Sequence, residues 1–149
     1  MKENLLIDKS ITFASRIIKL HQYLIKTHKE TIISKQIVRS GTSIGANINE
    51  ANYGQSKADF ISKMHIALKE TAETEYWIKL LIEADFLSED MGTSLLNDCI
   101  EIKRILVASI NTAKENLKRK IFLSLFHFLQ KKKISFSKEW KAALPVKNF

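Results

Sequence analysis

Proline occurs once in these 149 residues, cysteine once and glycine four times. So few backbone breakers leave little room for the turns of an all-β chain, and a mostly helical protein is expected. The lone Cys99 excludes an internal disulfide. A chain of this length buries roughly 68–70% of its unfolded surface and needs no disulfide or metal staple. The N-terminal MKENLLIDKS holds no apolar run of signal-peptide length. With the single thiol, that gives the expectation of a cytoplasmic protein in a reducing compartment.

Acidic charge is short at one end alone. Residues 1–113 carry 14 Lys and Arg and 14 Asp and Glu. Residues 114–149 carry ten Lys and Arg against Glu115 and Glu139, so the whole net charge of +8 lies in the C-terminal quarter. Attraction to phosphate-bearing partners is therefore expected chiefly of that tail.

What is present is helical periodicity. Ile11, Ala14, Ile18 and Ile25 mark one edge of an apolar face, and Phe13, Ile17, Leu20 and Leu24 the other. They predict a first helix from Asp8, as N-cap, to Lys29. Ile33, Ile37, Gly41, Ile44, Ile48 and Ala51 step by 4, 4, 3, 4 and 3, which predicts a second helix over Ile32–Asn52. This absorbs the Gly- and Asn-rich stretch RSGTSIGANINEANYGQSK, which composition alone would read as a loop, even a phosphate-binding one. Gly41 and Gly45 lie one turn apart on one face, where a neighbouring backbone can come close. Gly54 suits the C′ position, and Ser56 with Asp59 forms a capping box for a third helix, Lys57–Phe86. Ser88 caps a fourth, on which Leu95, Cys99, Ile102, Leu106, Ile110, Ala113, Leu117 and Ile121 continue the stripe.

Four helices with short connections predict an all-α fold, an antiparallel up-down-up-down four-helix bundle over residues 1–118. A basic and apolar C-terminal extension follows over 119–149, with a short helix from Lys138 to Leu144 that Pro145 would end. In the extension, IFLSLFHFLQ stands between KRK and KKK. Ten residues make a helix of ~15 Å, half of a ~30 Å hydrocarbon core, so a membrane span is not expected. Its apolar residues go almost round the helix, with Ser124, His127 and Gln130 as the polar exceptions, so a membrane is not expected as a partner. Cover from Trp140 and Leu144, or from a neighbouring subunit, is expected instead.

Residues 36–81, QIVRSGTSIGANINEANYGQSKADFISKMHIALKETAETEYWIKLL, carry a family likeness. Arg39-Ser40, Ser43-Ile44, Ala46-Asn47-Ile48, Glu50, Ser56-Lys57, Asp59-Phe60 and Glu73/Glu75 resemble the core signature of the S23 ribosomal protein family, also called 23S rRNA intervening-sequence proteins. The likeness extends over about residues 5–117. It implies a four-helix bundle assembled as a homopentamer, with no enzymatic activity. It also implies partners: RNA or DNA, or a nucleic-acid enzyme such as the reverse transcriptase of a diversity-generating retroelement, to which a related protein is an accessory factor. The tail beyond Lys118 has no counterpart in this resemblance.

The chemistry-bearing residues point the same way. A ferritin-like di-metal site needs Glu-x-x-His. The residues three before His21, His28, His65 and His127 are Ile18, Ile25, Ser62 and Ser124. No metal, cofactor or small-molecule substrate is expected. Neither a Cys-x-x-Cys pair nor a phosphate-binding glycine fingerprint is present. Glu70, Glu73 and Glu75 have no nucleophile or histidine tied to them by spacing. A polar network is expected instead, in which Glu73 or Glu75 meets Arg39 or Asn47, with Asn49 and Glu50 nearby. For nucleic acid the candidates are Lys35 and Arg39 on the second helix, Lys114, Lys118, Arg119 and Lys120, and Lys131, Lys132 and Lys133. The competing reading of the last two groups is a solvated basic end that keeps the protein soluble. Two other functional classes stay open: a purely structural interaction module, and a protein held at a membrane surface by its tail.

Overall fold

A computed structural model describes residues 5–143 of the chain, with side chains to 132. They form α1 (Leu5–Tyr23), a π-helical turn (Leu24–His28), α2 (Ile33–Asn52), α3 (Lys57–Glu83) and α4 (Glu89–Ala143). No strand occurs among the described residues. The chain divides into two compact units, Met1–Ala113 and Lys114–Phe149.

In the first unit each helix lies against its sequence neighbour, and α4 returns to α1. Ser10 faces Gly45, Ile17 faces Gly41, and His21 Nδ1 meets the Ser34 carbonyl at 3.0 Å, so α1 and α2 run in opposite directions. Ser40 with Thr74 and Glu50 with Lys63 show the same for α2 and α3. Lys9 with Glu101 and Arg16 with Ser94 and Asp98 do so for α1 and α4. The core is filled from all four helices, among others by Phe13, Ile17, Ile44, Ile78, Leu81, Ile102 and Leu106. Of the two apolar edges on α1, the one through Phe13, Ile17, Leu20 and Leu24 is buried, whereas Ile11 and Ile18 are exposed. Only one edge can point between α2 and α4.

Gly41 and Gly45 are where side chains of α1 press on α2. A Cβ at Gly41 would stand 2.8 Å from Ile17 Cγ2, and one at Gly45 would stand 3.1 Å from Ser10 Oγ. The small-residue face is thus used up inside the chain and is not a surface for a second copy. Gly54 does not take the left-handed C′ conformation expected of it, since no glycine has positive φ among the described residues. A Cβ at Gly54 would lie 3.1 Å from both the Ala51 carbonyl oxygen and the Phe60 nitrogen, so close packing of the α2–α3 corner explains this glycine. The left-handed residues are Lys29 and Asp85. Asp85 ends α3 at Glu83, three residues before the expected Phe86. Phe86 N–H donates to the Leu81 carbonyl at 2.9 Å and Asp85 N–H to that of Ile82 at 3.0 Å, a Schellman end.

Two of the three expected N-caps are in place: Ser56 Oγ accepts from Asp59 N–H at 3.1 Å, and Ser88 Oγ from Met91 N–H at 3.4 Å, whereas Asp8 lies inside the first turn of α1, which already begins at Leu5. Another was not foreseen. The Glu30 carboxylate accepts from the N–H groups of Ile32 and Ile33 at 2.8 Å and of Ser34 at 2.7 Å, covering the start of α2. Burial pushes its pKa up, but these donors outweigh that and hold it below the ordinary 4.5. A lowered folded-state pKa stabilises above the unfolded value and ceases to do so as pH falls through the folded one. Glu30→Ala is expected to cost about 1 kcal/mol at neutral pH, with the gap to the parent protein narrowing below about pH 4.5 in urea melts.

Candidate nucleic-acid interface

On the bundle basic and acidic residues balance in number, and some of the cations are held in ion pairs. Lys9 pairs with Glu101 at 2.8 Å, Lys63 with Glu50 at 2.6 Å, and Arg16 with Asp98. Lys79 and Lys103 both hold Glu75, at 2.6 and 2.7 Å. Lys35 and Arg39 are exposed, one turn apart on α2, and have no ion pair among the described residues. They form a small positive spot on an otherwise balanced unit.

The expected polar network is arranged differently. Glu75 turns to α4 rather than α2, and the hydrogen bonds from Lys103 and Lys79 hold its carboxyl below the usual range. Glu73 stays on its own helix and accepts from Trp77 Nε1 at 3.2 Å. Asn47 Nδ2 donates one turn back to the Ser43 carbonyl, and Glu50 accepts from Lys63. Arg39 touches none of these carboxylates, though its charge opposes a rise in the pKa of Glu70 caused by burial and by neighbouring Glu73. The reason is reach. Hydroxyls, not carboxylates, occupy the α2–α3 seam, and the acids lie outside it.

That seam holds Ser40 and Thr74, both fully buried, with their hydroxyl oxygens 2.9 Å apart. Thr74 also meets the Glu70 carbonyl at 2.8 Å. Ser40 has otherwise only the Ile37 carbonyl at 3.4 Å. A threonine gives no apolar signal at an inward position, so periodicity passed over Thr74. Thr74→Val should cost about 1–3 kcal/mol, because it strands a buried hydroxyl. Adding Ser40→Ala should recover part of that loss, and a double-mutant cycle in urea checks it.

In the second unit Lys114, Lys118, Arg119, Lys120, Lys131 and Lys132 are all exposed on α4. The side chain of Lys133 lies outside the described residues, as do those of Trp140 and Leu144, the expected cover for the apolar segment. At ~100° per residue, Lys118, Arg119 and Lys120 fan out in three directions, while Lys114 and Lys118 share one side. Lys132 Nζ sits 5.4 Å from the Phe128 ring centroid. Between Glu115 and Glu139 there is no acidic residue. Such an array attracts phosphate without fixing a base sequence.

Other chemistry finds little footing. Burial, with the negative charge of Glu75, pushes the Cys99 thiol up to about 12, and its Sγ lies 3.4 Å from the Thr71 carbonyl. A thiol so placed is a poor nucleophile. Among the described residues no group of three His, Cys, Asp or Glu is arranged to hold a metal ion, and no helix is long and apolar enough to cross a membrane.

Comparison with known proteins adds to this geometry. The family described as 23S rRNA-intervening sequence protein matches over residues 2–108. The chain is similar to a crystal structure of a protein of unknown function from the S23 ribosomal protein family of Bacteroides thetaiotaomicron VPI-5482, at 51% identity and a TM-score of 0.71. That match covers 71% of this chain and 98% of the other. Among curated proteins none matches. The basic residues from Lys114 onward lie beyond the family match.

Proposed function

Because this chain belongs to the 23S rRNA-intervening sequence protein family, we propose that it is a non-catalytic oligomeric adaptor that binds RNA or DNA, or a protein that handles them, through shape and positive charge. The observation that carries this reading is the confinement of the whole +8 to residues 114–149, where the described lysines and Arg119 stand exposed with no ion pair among the described residues. Several phosphate contacts made by such a segment give an affinity that falls steeply with salt. Lys35 and Arg39 add a weaker second contact. A reverse transcriptase or another nucleic-acid enzyme is the kind of protein partner this reading suits.

Assembly is part of the proposal. A homopentamer would repeat the basic segment and multiply its field. With Gly41 and Gly45 spent on α1, the contact between copies falls to exposed apolar residues such as Ile11 and Ile18. Light scattering is expected to give a mass several times 17.1 kDa at micromolar concentration, and a monomer would remove the assembly from the proposal. A native gel with RNA and DNA across a salt series tests the binding. A shift that fades with salt supports it, and no shift at low salt overturns it.

A further inference from the structure

The charge-based reading leaves the apolar half of the tail without a role. Residues 121–129 include Phe122, Phe126 and Phe128, and every large apolar side chain among them is 52–66% exposed. Singly exposed apolar residues are ordinary, but seven in nine positions on one helix are not. We propose that this helix is an in-plane anchor for an anionic lipid surface, a role that goes beyond nucleic-acid binding.

Helix geometry argues for it. Taken over ten residues alone, the segment is apolar almost all round. With the flanking residues included, Lys120, Ser124, His127 and Lys131 follow at steps of 4, 3 and 4 and fall within ~60° of one another. Opposite them, Leu117, Ile121, Leu125, Phe128, Phe122 and Phe126 sweep ~180°. Leu123 alone sits on the polar side. A helix with a broad apolar face and a basic polar stripe lies in the interface between headgroups and acyl chains. Lys118 and Lys132 stand at the two ends of the apolar face, where long stems lie along hydrocarbon while the ammonium groups reach lipid phosphate.

Charge decides between occupants. A second copy would bring two +8 tails side by side, whereas an anionic bilayer offers the opposite charge and an apolar bed together. No described helix is both long and apolar enough to span, which leaves the helix in the plane of the surface. Nucleic acid satisfies the lysines and leaves Ile121, Leu125 and Leu129 in water.

The test is flotation of the full chain with phosphatidylcholine vesicles, with and without phosphatidylglycerol, in the absence of nucleic acid. Binding is expected only to the anionic vesicles. The double variant Phe122→Ser/Phe126→Ser should lose at least about tenfold in partitioning while its nucleic-acid gel shift stays unchanged. Both side chains are exposed, so the variant keeps the fold, which circular dichroism confirms. No flotation with anionic vesicles, or equal flotation of variant and parent, overturns the proposal. So does a drop in oligomer mass for the variant with no change in flotation, which would assign the face to a second copy. A gel shift lost in the variant would assign the phenylalanines to nucleic acid. The nucleic-acid reading can fail on its own gel while flotation succeeds, and the reverse.

Discussion

Leucine at position 41 is expected to destabilise the bundle by about 3 kcal/mol or more, the upper end of what overpacking costs. The clash begins at the first added atom. A Cβ at Gly41 would lie 2.8 and 2.9 Å from Ile17 Cγ2 and Cγ1 and 3.2 Å from its Cβ. These are the branch atoms of a fully buried side chain, not the loose end of a flexible one. A β-branched residue in a helix has one strongly preferred χ1, so Ile17 cannot swing aside. Even Gly41→Ala should lose the ~1 kcal/mol that alanine normally gains over glycine in a helix interior. Shortening the partner should relieve it: Gly41→Ala with Ile17→Ala is expected to be more stable than the two single effects summed. Urea melts decide the matter. A Gly41→Leu protein as stable as its parent would mean that α1 and α2 do not pack at this point.

Ending the chain after Lys118 is expected to leave the bundle folded and to abolish most nucleic-acid binding. Of the described residues, the last buried one is Ala113, and Leu117 is half-buried. Removing 119–149 therefore takes no core residue among those described, and the melting free energy of the first unit should move by less than about 0.5 kcal/mol. The deletion does remove eight basic residues and one acid, leaving 16 Lys and Arg against 15 Asp and Glu. Affinity at low salt should fall at least about a hundredfold, and the slope of log K against log salt should drop by several units. Unchanged affinity and slope would exclude residues 119–149 and leave Lys35 and Arg39, with Lys114 and Lys118, as the binding residues. The same truncation should end vesicle binding. The two losses remain separable, because only the lipid one should respond to Phe122→Ser/Phe126→Ser.

The helices themselves were legible in the chain. The end of α2, the start of α3, the caps Ser56 and Ser88 and the buried stripe of α4 from Leu95 to Ala113 stand where the spacing puts them. Periodicity at three and four residues is a local property, written wherever one face of a helix must be apolar. The family likeness was legible too, because it rests on residue identities along two consecutive helices. Glu30 was missed although its signal was there, an acid within three residues of a helix start. It follows a left-handed lysine, and the capping side chain is a carboxylate rather than the usual Ser or Thr.

Packing alone decided the rest. Both edges of α1 are apolar, and only the arrival of α2 and α4 on one side buried Phe13 and Ile17 and left Ile11 and Ile18 in solvent. Glu75 could have reached either neighbouring helix. It meets Lys103, 28 residues away, while Ser40 and Thr74 fill the seam toward α2. Gly41 could be read from the sequence as a place of close approach, but its partner could not, since Ile17 lies on a different helix. The chain's own order determines which residues share a face. Which face then meets which neighbour depends on the simultaneous fit of four helices, and that fit exists only once they are packed.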